Sequence, residues 1–244
     1  MIRALAALFL AALAAPAAAG CREVSYMGDD YTVCEVEMEG ADLRLFLNGP
    51  DGRPYGQFGA VDRALEAEGR ELVFAMNAGM YHSDRSPVGL YVEHGQESAG
   101  LVTRAGPGNF GLVPNGVFCI AAGRAEVIET QAFAARAPAC LYATQSGPML
   151  VIGGQLHPRF LRDSDSRYVR NGVGTSADGR RAVFAISQRA VTFHTFGSFF
   201  RDHLRTPNAL YLDGSISRLY APELGRSDVG FAMGPIVGLV APRN

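Results

Sequence analysis

The sequence predicts a single α+β domain with a large mixed, mostly antiparallel sheet and few helices, and three observations lead there. Its apolar segments are short and rich in β-branched and aromatic residues, only two stretches carry helical periodicity, and no linker, charge run or repeat divides residues 21–244. Twenty-nine glycines suit the many turns and close backbone approaches of such a fold.

The elements follow in order. Strands are predicted at Tyr31–Met38, Leu43–Leu47, Leu72–Met76, Val88–Glu93, Val117–Ala121, Ala125–Glu129, Met149–Ile152, Ala182–Ile186, Val191–His194, Ala209–Leu212 and Ile236–Val240, from alternation or β-branched and aromatic enrichment. One helix is expected over Phe58–Glu68, with Phe58, Val61 and Leu65 on one face. A second is expected over Phe199–Arg205, capped by Ser198 and stopped by Pro207.

Ahead of these lies Arg3, an apolar run from Ala4 to Ala15, then Pro16 and three alanines, the three-part layout of a secretory signal. Residues 1–20 are therefore assigned to a signal peptide, residues 21–244 to the mature domain, and the protein to the periplasm or the extracellular space. The run is too short to span a bilayer. Cys21, Cys34, Cys119 and Cys140 are an even set in an oxidising compartment, and the simplest of three connectivities pairs Cys21 with Cys34 and Cys119 with Cys140. Ala19-Gly20-Cys21 also resembles the end of a lipobox, a second reading that makes Cys21 a lipid anchor and strands Cys34.

The chain contains no lysine: all 22 of its basic residues are arginine. That removes the Walker A loop, a kinase-type lysine, a pyridoxal Schiff base and a Ser-Lys dyad. A net charge of −2 provides no general field for nucleic acid or an anionic membrane, so neither is expected as a partner.

Polar residues gather at strand ends beside glycines: Asn77-Ala78-Gly79, Asn115-Gly116, Ser146-Gly147, Arg170-Asn171-Gly172 and Asp213-Gly214-Ser215. Any one of the Asn-Gly or Asp-Gly pairs passes as a hairpin turn. Taken together, they follow apolar strands that run directly into a polar residue, as in Phe74-Ala75-Met76-Asn77 and Leu210-Tyr211-Leu212-Asp213, which is how a rigid sheet projects side chains into a cleft. Amides at 77, 115 and 171 with hydroxyls at 146 and 215 suit sugar oxygens, and Arg170 offers a fork for an anion. A sugar carrying a phosphate meets both demands.

Other chemistries find less support. Ser146 lacks a Gly-x-Ser-x-Gly elbow, and nothing assigns His82, His94, His157, His194 or His203 as its base. Asp163-Ser164-Asp165-Ser166 lacks the glycine and terminal glutamate of a calcium loop. No cofactor is expected; Asn, Asp and carbonyl oxygens suit calcium or magnesium, but no stretch specifies a site.

The same segments resemble the phosphodiester glycosidase family, bacterial relatives of the uncovering enzyme N-acetylglucosamine-1-phosphodiester α-N-acetylglucosaminidase. The resemblance rests on Phe74–Tyr81 with Pro87–Tyr91, Gly108–Phe110 leading to Pro114–Phe118, Gln145–Leu150, Arg170–Gly174 and Leu210–Ser217. It implies hydrolysis of the bond between a sugar's anomeric carbon and an esterified phosphate. On that reading Asp213 is general base or nucleophile, with Asp84 the leading second carboxylate, and Arg170 stabilises the departing phosphate. Asn77, Asn115, Asn171, Ser146 and Ser215 orient oxygens, while Gly79, Gly116, Gly147, Gly172 and Gly214 let backbone amides approach the ligand. The rival reading is a non-catalytic envelope module that binds phosphorylated glycans.

Overall fold

The structure is a computed structural model that describes residues 20–213 and 216–243. The signal segment 1–19 and two expected site residues, Gly214 and Ser215, lie outside them. In chain order the elements are β1 (Gly20–Tyr26), β2 (Asp29–Glu37), β3 (Asp42–Phe46), α1 (Phe58–Glu66), β4 (Arg70–Asn77), β5 (Tyr91–Glu93), β6 (Gln96–Ala99), β7 (Gly116–Ala121), β8 (Arg124–Glu129) and α2 (Thr130–Arg136). They continue with β9 (Tyr142–Ser146), β10 (Met149–Ile152), β11 (Gln155–Leu156), β12 (Asn171–Thr175), β13 (Arg181–Ser187), α3 (Phe193–Ser198), β14 (Asn208–Asp213), β15 (Leu219–Ala221), β16 (Arg226–Ser227) and β17 (Ile236–Pro242).

This is the α+β domain with few helices, but its strands form three antiparallel sheets rather than one large one. Their orders are β1-β2-β13-β12-β14-β10-β11, β16-β15-β4-β17-β3 and β6-β5-β9-β7-β8. Alternation along the strands explains why three sheets can share one core. In β13, Ala182, Phe184 and Ile186 point inward to that core, while Val183 and Ala185 point to the opposite face. Phe74 of β4, Phe118 of β7 and Leu210 of β14 join the same core from the three sheets. The outer faces are covered separately: α1 lies on one five-stranded sheet through Phe58, Val61 and Leu65, as its periodicity predicts.

Both disulfides pair as expected, Cys21 with Cys34 and Cys119 with Cys140. The first joins directly opposed residues of β1 and β2, which engages the thiol that lipid attachment at Cys21 needs. No helix among the described residues is long and apolar enough to cross a membrane.

Two expected elements change. Val191–His194 is not a strand: Val191 makes an isolated bridge to Tyr168, and the Thr192 hydroxyl accepts from the Thr195 amide at 3.1 Å to cap α3. The helix expected from Phe199 thus begins at Phe193 and passes into a π-helical turn over Phe199–His203, with Ser198 buried inside it instead of capping it. Its rings at 193, 196 and 200 repeat at helical spacing, and their packing beneath β13 and β14 outweighs the β-propensity of the run.

Candidate active site

Strand ends from all three sheets meet at one place. Asn77 ends β4, Asn171 opens β12, Asp213 ends β14 and Ser146 ends β9. Three hydrogen-bonded ties join them. Asn171 Nδ2 donates to Asn77 Oδ1 at 2.8 Å, Ser146 Oγ donates to the Leu212 carbonyl at 2.7 Å, and Thr144 Oγ1 donates to the Ala78 carbonyl at 2.8 Å. The first two cross between different sheets, and the third joins β9 to the residue that follows β4.

The amides also hold the chain around Asp213. Asn171 Oδ1 accepts from the Asp213 amide at 3.2 Å, Asn77 Oδ1 accepts from the Arg218 amide at 3.0 Å, and Ser217 Oγ donates to the Asp213 carbonyl at 2.8 Å. Asp213 is 9% exposed and lines a cavity of about 560 Å³ with Met80, Tyr81, Arg85, Val88, Ile216 and Phe231. Burial, then the Asp213 charge, push the Tyr81 hydroxyl above its ordinary value, against the lowering effect of Arg85 and Arg218. The Asp213 carboxylate and the Arg85 and Arg218 guanidiniums are thus all near enough to act on the Tyr81 phenol. Arg85 carries a positive φ of 76°, a conformation unusual for a residue with a Cβ, and its guanidinium carbon lies 5.4 Å from the Tyr81 ring centre.

Several expected site residues are engaged by the protein itself. Asn77, Asn171 and Ser146 are fully buried, and their polar atoms fasten strand to strand. Asn115 donates to the Phe110 carbonyl at 2.8 Å and accepts from Thr130 Oγ1 at 2.7 Å, so it secures the approach to β7. Arg170 is completely buried: Nε donates to the Val191 carbonyl at 2.9 Å, Nη2 to the Ser166 carbonyl at 3.1 Å, and the Phe193 ring centre is 3.6 Å from Cζ. It lies outside the cavity lining and clamps the segment before α3. Asp84 is exposed and accepts from Ser86 Oγ at 2.6 Å within its own turn.

The glycines make room for the protein. A Cβ on Gly172 would lie 2.7 Å from the Leu210 carbonyl oxygen, and one on Gly147 would lie 2.7 Å from Asn115 Cβ. One on Gly116 would meet the Ile128 carbonyl at 2.9 Å, and one on Gly79 would meet Thr144 Oγ1 at 2.7 Å. At each of these four positions the neighbouring chain approaches too closely for a side chain.

The sequence reading missed Tyr81, Arg85, Arg218 and Phe231. Arg218 had a usable signal: it closes the polar stretch after Asp213 immediately before the apolar β15. It is 7% exposed, and its Nη1 is buried without a hydrogen-bond partner among the described residues. Among those residues no three His, Cys, Asp or Glu side chains gather as a metal-binding set.

Residues 70–229 match the model of the phosphodiester glycosidase family. The chain belongs to that family. The uncharacterized protein YigE of Escherichia coli (strain K12) is 35% identical over 178 residues, spanning 73% of this chain and 69% of that one. The zebrafish N-acetylglucosamine-1-phosphodiester α-N-acetylglucosaminidase catalytic domain, auto-inhibited by its pro-peptide, superposes with a TM-score of 0.60 at 12% identity, over 92% of this chain and 82% of that one. A hypothetical protein from Synechocystis gives 0.57 at 16% identity, over 94% and 64%. At these identities the two solved structures speak for the fold of this phosphodiester glycosidase domain. The family match itself runs from β4 to Val229, so it contains Asn77, Arg85, Asn171, Asp213 and Arg218.

Proposed function

We propose that this protein is a secreted or periplasmic hydrolase that cleaves the bond between the anomeric carbon and the phosphate of a sugar-1-phosphodiester. The observation that carries the reading is the cavity in which Asp213, Arg85 and Tyr81 face one space with Arg218 in electrostatic reach. The two disulfides and the amino-terminal signal layout support the location.

Water attacks the anomeric carbon as Asp213 takes its proton, and the bond from that carbon to the phosphate oxygen breaks. The electron pair leaves with that oxygen, so a phosphodiester monoanion becomes a phosphomonoester. Most glycosidases use a second carboxyl group to protonate a departing alcohol. A phosphate needs that help less, because the second ionisation of a phosphomonoester lies near pKa ~6. Stabilising its charge matters more, and the two arginines supply fixed positive charge there. An orphaned guanidinium nitrogen such as Arg218 Nη1 gains a charge-assisted hydrogen bond when a phosphate oxygen arrives.

The test follows release of free sugar from an N-acetylglucosamine 1-phosphodiester, a probe taken from the substrate in the zebrafish relative's name. Asp213→Asn is expected to lower kcat by about 10²- to 10⁴-fold while leaving the circular dichroism spectrum unchanged. Near-normal turnover in that variant removes Asp213 from the chemistry, and binding without release by the wild type removes hydrolysis altogether.

A further inference from the structure

Ile216 and Phe231 are shared between the Asp213 cavity and a second one of about 400 Å³ beside it. The second chamber has four apolar walls, Val169, Ile216, Val229 and Phe231, and three polar ones. Two of those three are engaged by the protein itself. Ser217 Oγ donates to the Val169 and Asp213 carbonyls at 2.9 and 2.8 Å. Asp228 Oδ2 accepts from the Leu219 amide at 2.9 Å and from Arg226 Nη2 at 2.8 Å. The third, Arg218, keeps Nη1 without a partner among the described residues.

At the mouth, Val229 is 86% and Phe231 is 82% exposed. Their loop is held in place: Gln57 Nε2 donates to the Gly230 carbonyl at 2.9 Å and the Met233 amide to the Gly56 carbonyl at 2.8 Å. The Arg218 guanidinium packs against Gly230 so closely that a side chain there would collide with it. Two large apolar groups are thus presented to solvent on either side of the glycine that packs against a buried cation, next to the cavity that Asp213 lines. Such a pair is covered when something apolar binds.

We infer that the phosphate of the substrate carries an apolar alcohol, so that the protein acts on a sugar joined through phosphate to an alkyl chain. The inference rests on the proposed hydrolysis and names its aglycone. With the sugar at Asp213 and the phosphate at Arg218, the group beyond the phosphate enters the second chamber. A sugar or peptide there loses water from hydroxyls and amides beside Ser217 and Asp228, whose polar atoms are already engaged, while the Arg218 nitrogen is taken by the phosphate. An alkyl chain loses nothing of that kind and removes Val229 and Phe231 from water.

The experiment compares N-acetylglucosamine 1-(methyl phosphate) with N-acetylglucosamine 1-(octyl phosphate), both anomers of each, below the micelle concentration. Catalytic efficiency is measured for the wild type, Phe231→Ser and Val229→Ser, and affinity for both probes is measured by calorimetry in an Asp213→Asn background. The readout is the octyl-to-methyl ratio within each protein, so a general loss cancels. The wild type is expected to favour octyl by about tenfold or more, and each serine variant to cut that preference by roughly threefold or more. Both side chains project into solvent, and the second variant keeps the test open should the first misfold. A wild-type ratio near one, or a ratio unchanged in both variants, overturns the aglycone. If neither probe is hydrolysed, hydrolysis fails and the binding ratio decides: tighter octyl binding that weakens in the variants upholds the apolar group beyond the phosphate, and equal binding overturns it.

Discussion

Asn171 uses both ends of its amide. Its Nδ2 reaches the backbone and side-chain oxygens of Asn77 at 3.2 and 2.8 Å, and its Oδ1 receives the Asp213 amide at 3.2 Å. Replacing it with alanine removes these hydrogen bonds, leaves Asn77 Oδ1 with the Arg218 amide, and frees the strand end that aims Asp213. Asn171→Ala is therefore expected to cost about 1–3 kcal/mol, read as a lower urea midpoint. It should also lower kcat more than it raises KM; unchanged kcat would mean that Asp213 is aimed by something else. Arginines separate in the same way. Arg170→Met removes a buried guanidinium's hydrogen bonds to the Val191 and Ser166 carbonyls and its contact with the Phe193 ring, so it should destabilise by roughly 2 kcal/mol and reduce activity equally on a sugar phosphodiester and on a neutral aryl glycoside. Arg218→Ala should harm the phosphodiester selectively, by about tenfold or more in KM, because its Nη1 has no hydrogen-bond partner among the described residues and it lines the cavity beside the one Asp213 lines, whereas Arg170, whose Nη1 is likewise unpartnered among them, lines neither. Equal losses in both variants on both substrates would make Arg218 a structural residue as well.

At the level of elements, the strands with clear alternation and the first helix were legible because burial on one face leaves a periodic record. Phe184 and Ile186 facing the shared core, with Val183 and Ala185 facing away, is such a record in β13. β12 left none. Its sequence Asn-Gly-Val-Gly-Thr reads as a loop, yet it is a fully buried central strand. A Cβ on Gly174 would lie 2.6 Å from Thr206 Oγ1, so glycine is required there by a tertiary neighbour that local pattern does not reveal. The same limit hid the work of the asparagines. Their convergence at strand ends could be read from the apolar runs before them, whereas their orientation toward one another depends on how three sheets pack. Cysteine spacing escaped this limit, because short loops favour local pairing whatever the packing. The Cys119–Cys140 bridge closes a separation of 21 residues between β7 and the start of β9. Replacing both cysteines with serine is expected to cost about 3 kcal/mol by the chain-entropy estimate, measured as a fall in urea midpoint relative to the oxidised wild type. An unchanged midpoint would mean that the β7–β9 pairing alone fixes that loop.

Across the whole molecule the three sheets close on one core, so charges far from the Asp213 cavity bear on the stability of all of them together. Burial, the largest influence, holds the His157 imidazole below its ordinary value, and its Nδ1 accepts from the Arg159 amide at 3.2 Å, a contact that a proton there would break. The unfolded chain then binds a proton on this residue more readily than the folded one. Its contribution to stability is full above about pH 6.5 and declines as the pH falls through the lower, folded value. Asp42 and Glu35 act in the same sense at lower pH. Burial raises both, but hydrogen bonds and charge from Arg44 and Arg70 at Asp42, and from Arg181 and Arg22 at Glu35, outweigh it and hold both carboxyls below their ordinary values. Their stabilisation is present above about pH 4 and is lost as the pH falls through the folded values. Glu93 opposes them: burial raises its carboxyl despite the Tyr91 hydroxyl at 2.8 Å, so its share fades as pH rises. Two acid steps are therefore expected in the urea midpoint, one beginning below about pH 6.5 and a steeper one below about pH 4. His157→Gln should remove most of the first and leave the second, whereas Asp42→Asn should shrink the second and leave the first. If His157→Gln keeps the full decline between pH 7.5 and 5.5, the titrating group is elsewhere, and the buried contact with Arg159 holds its proton state without cost to the fold.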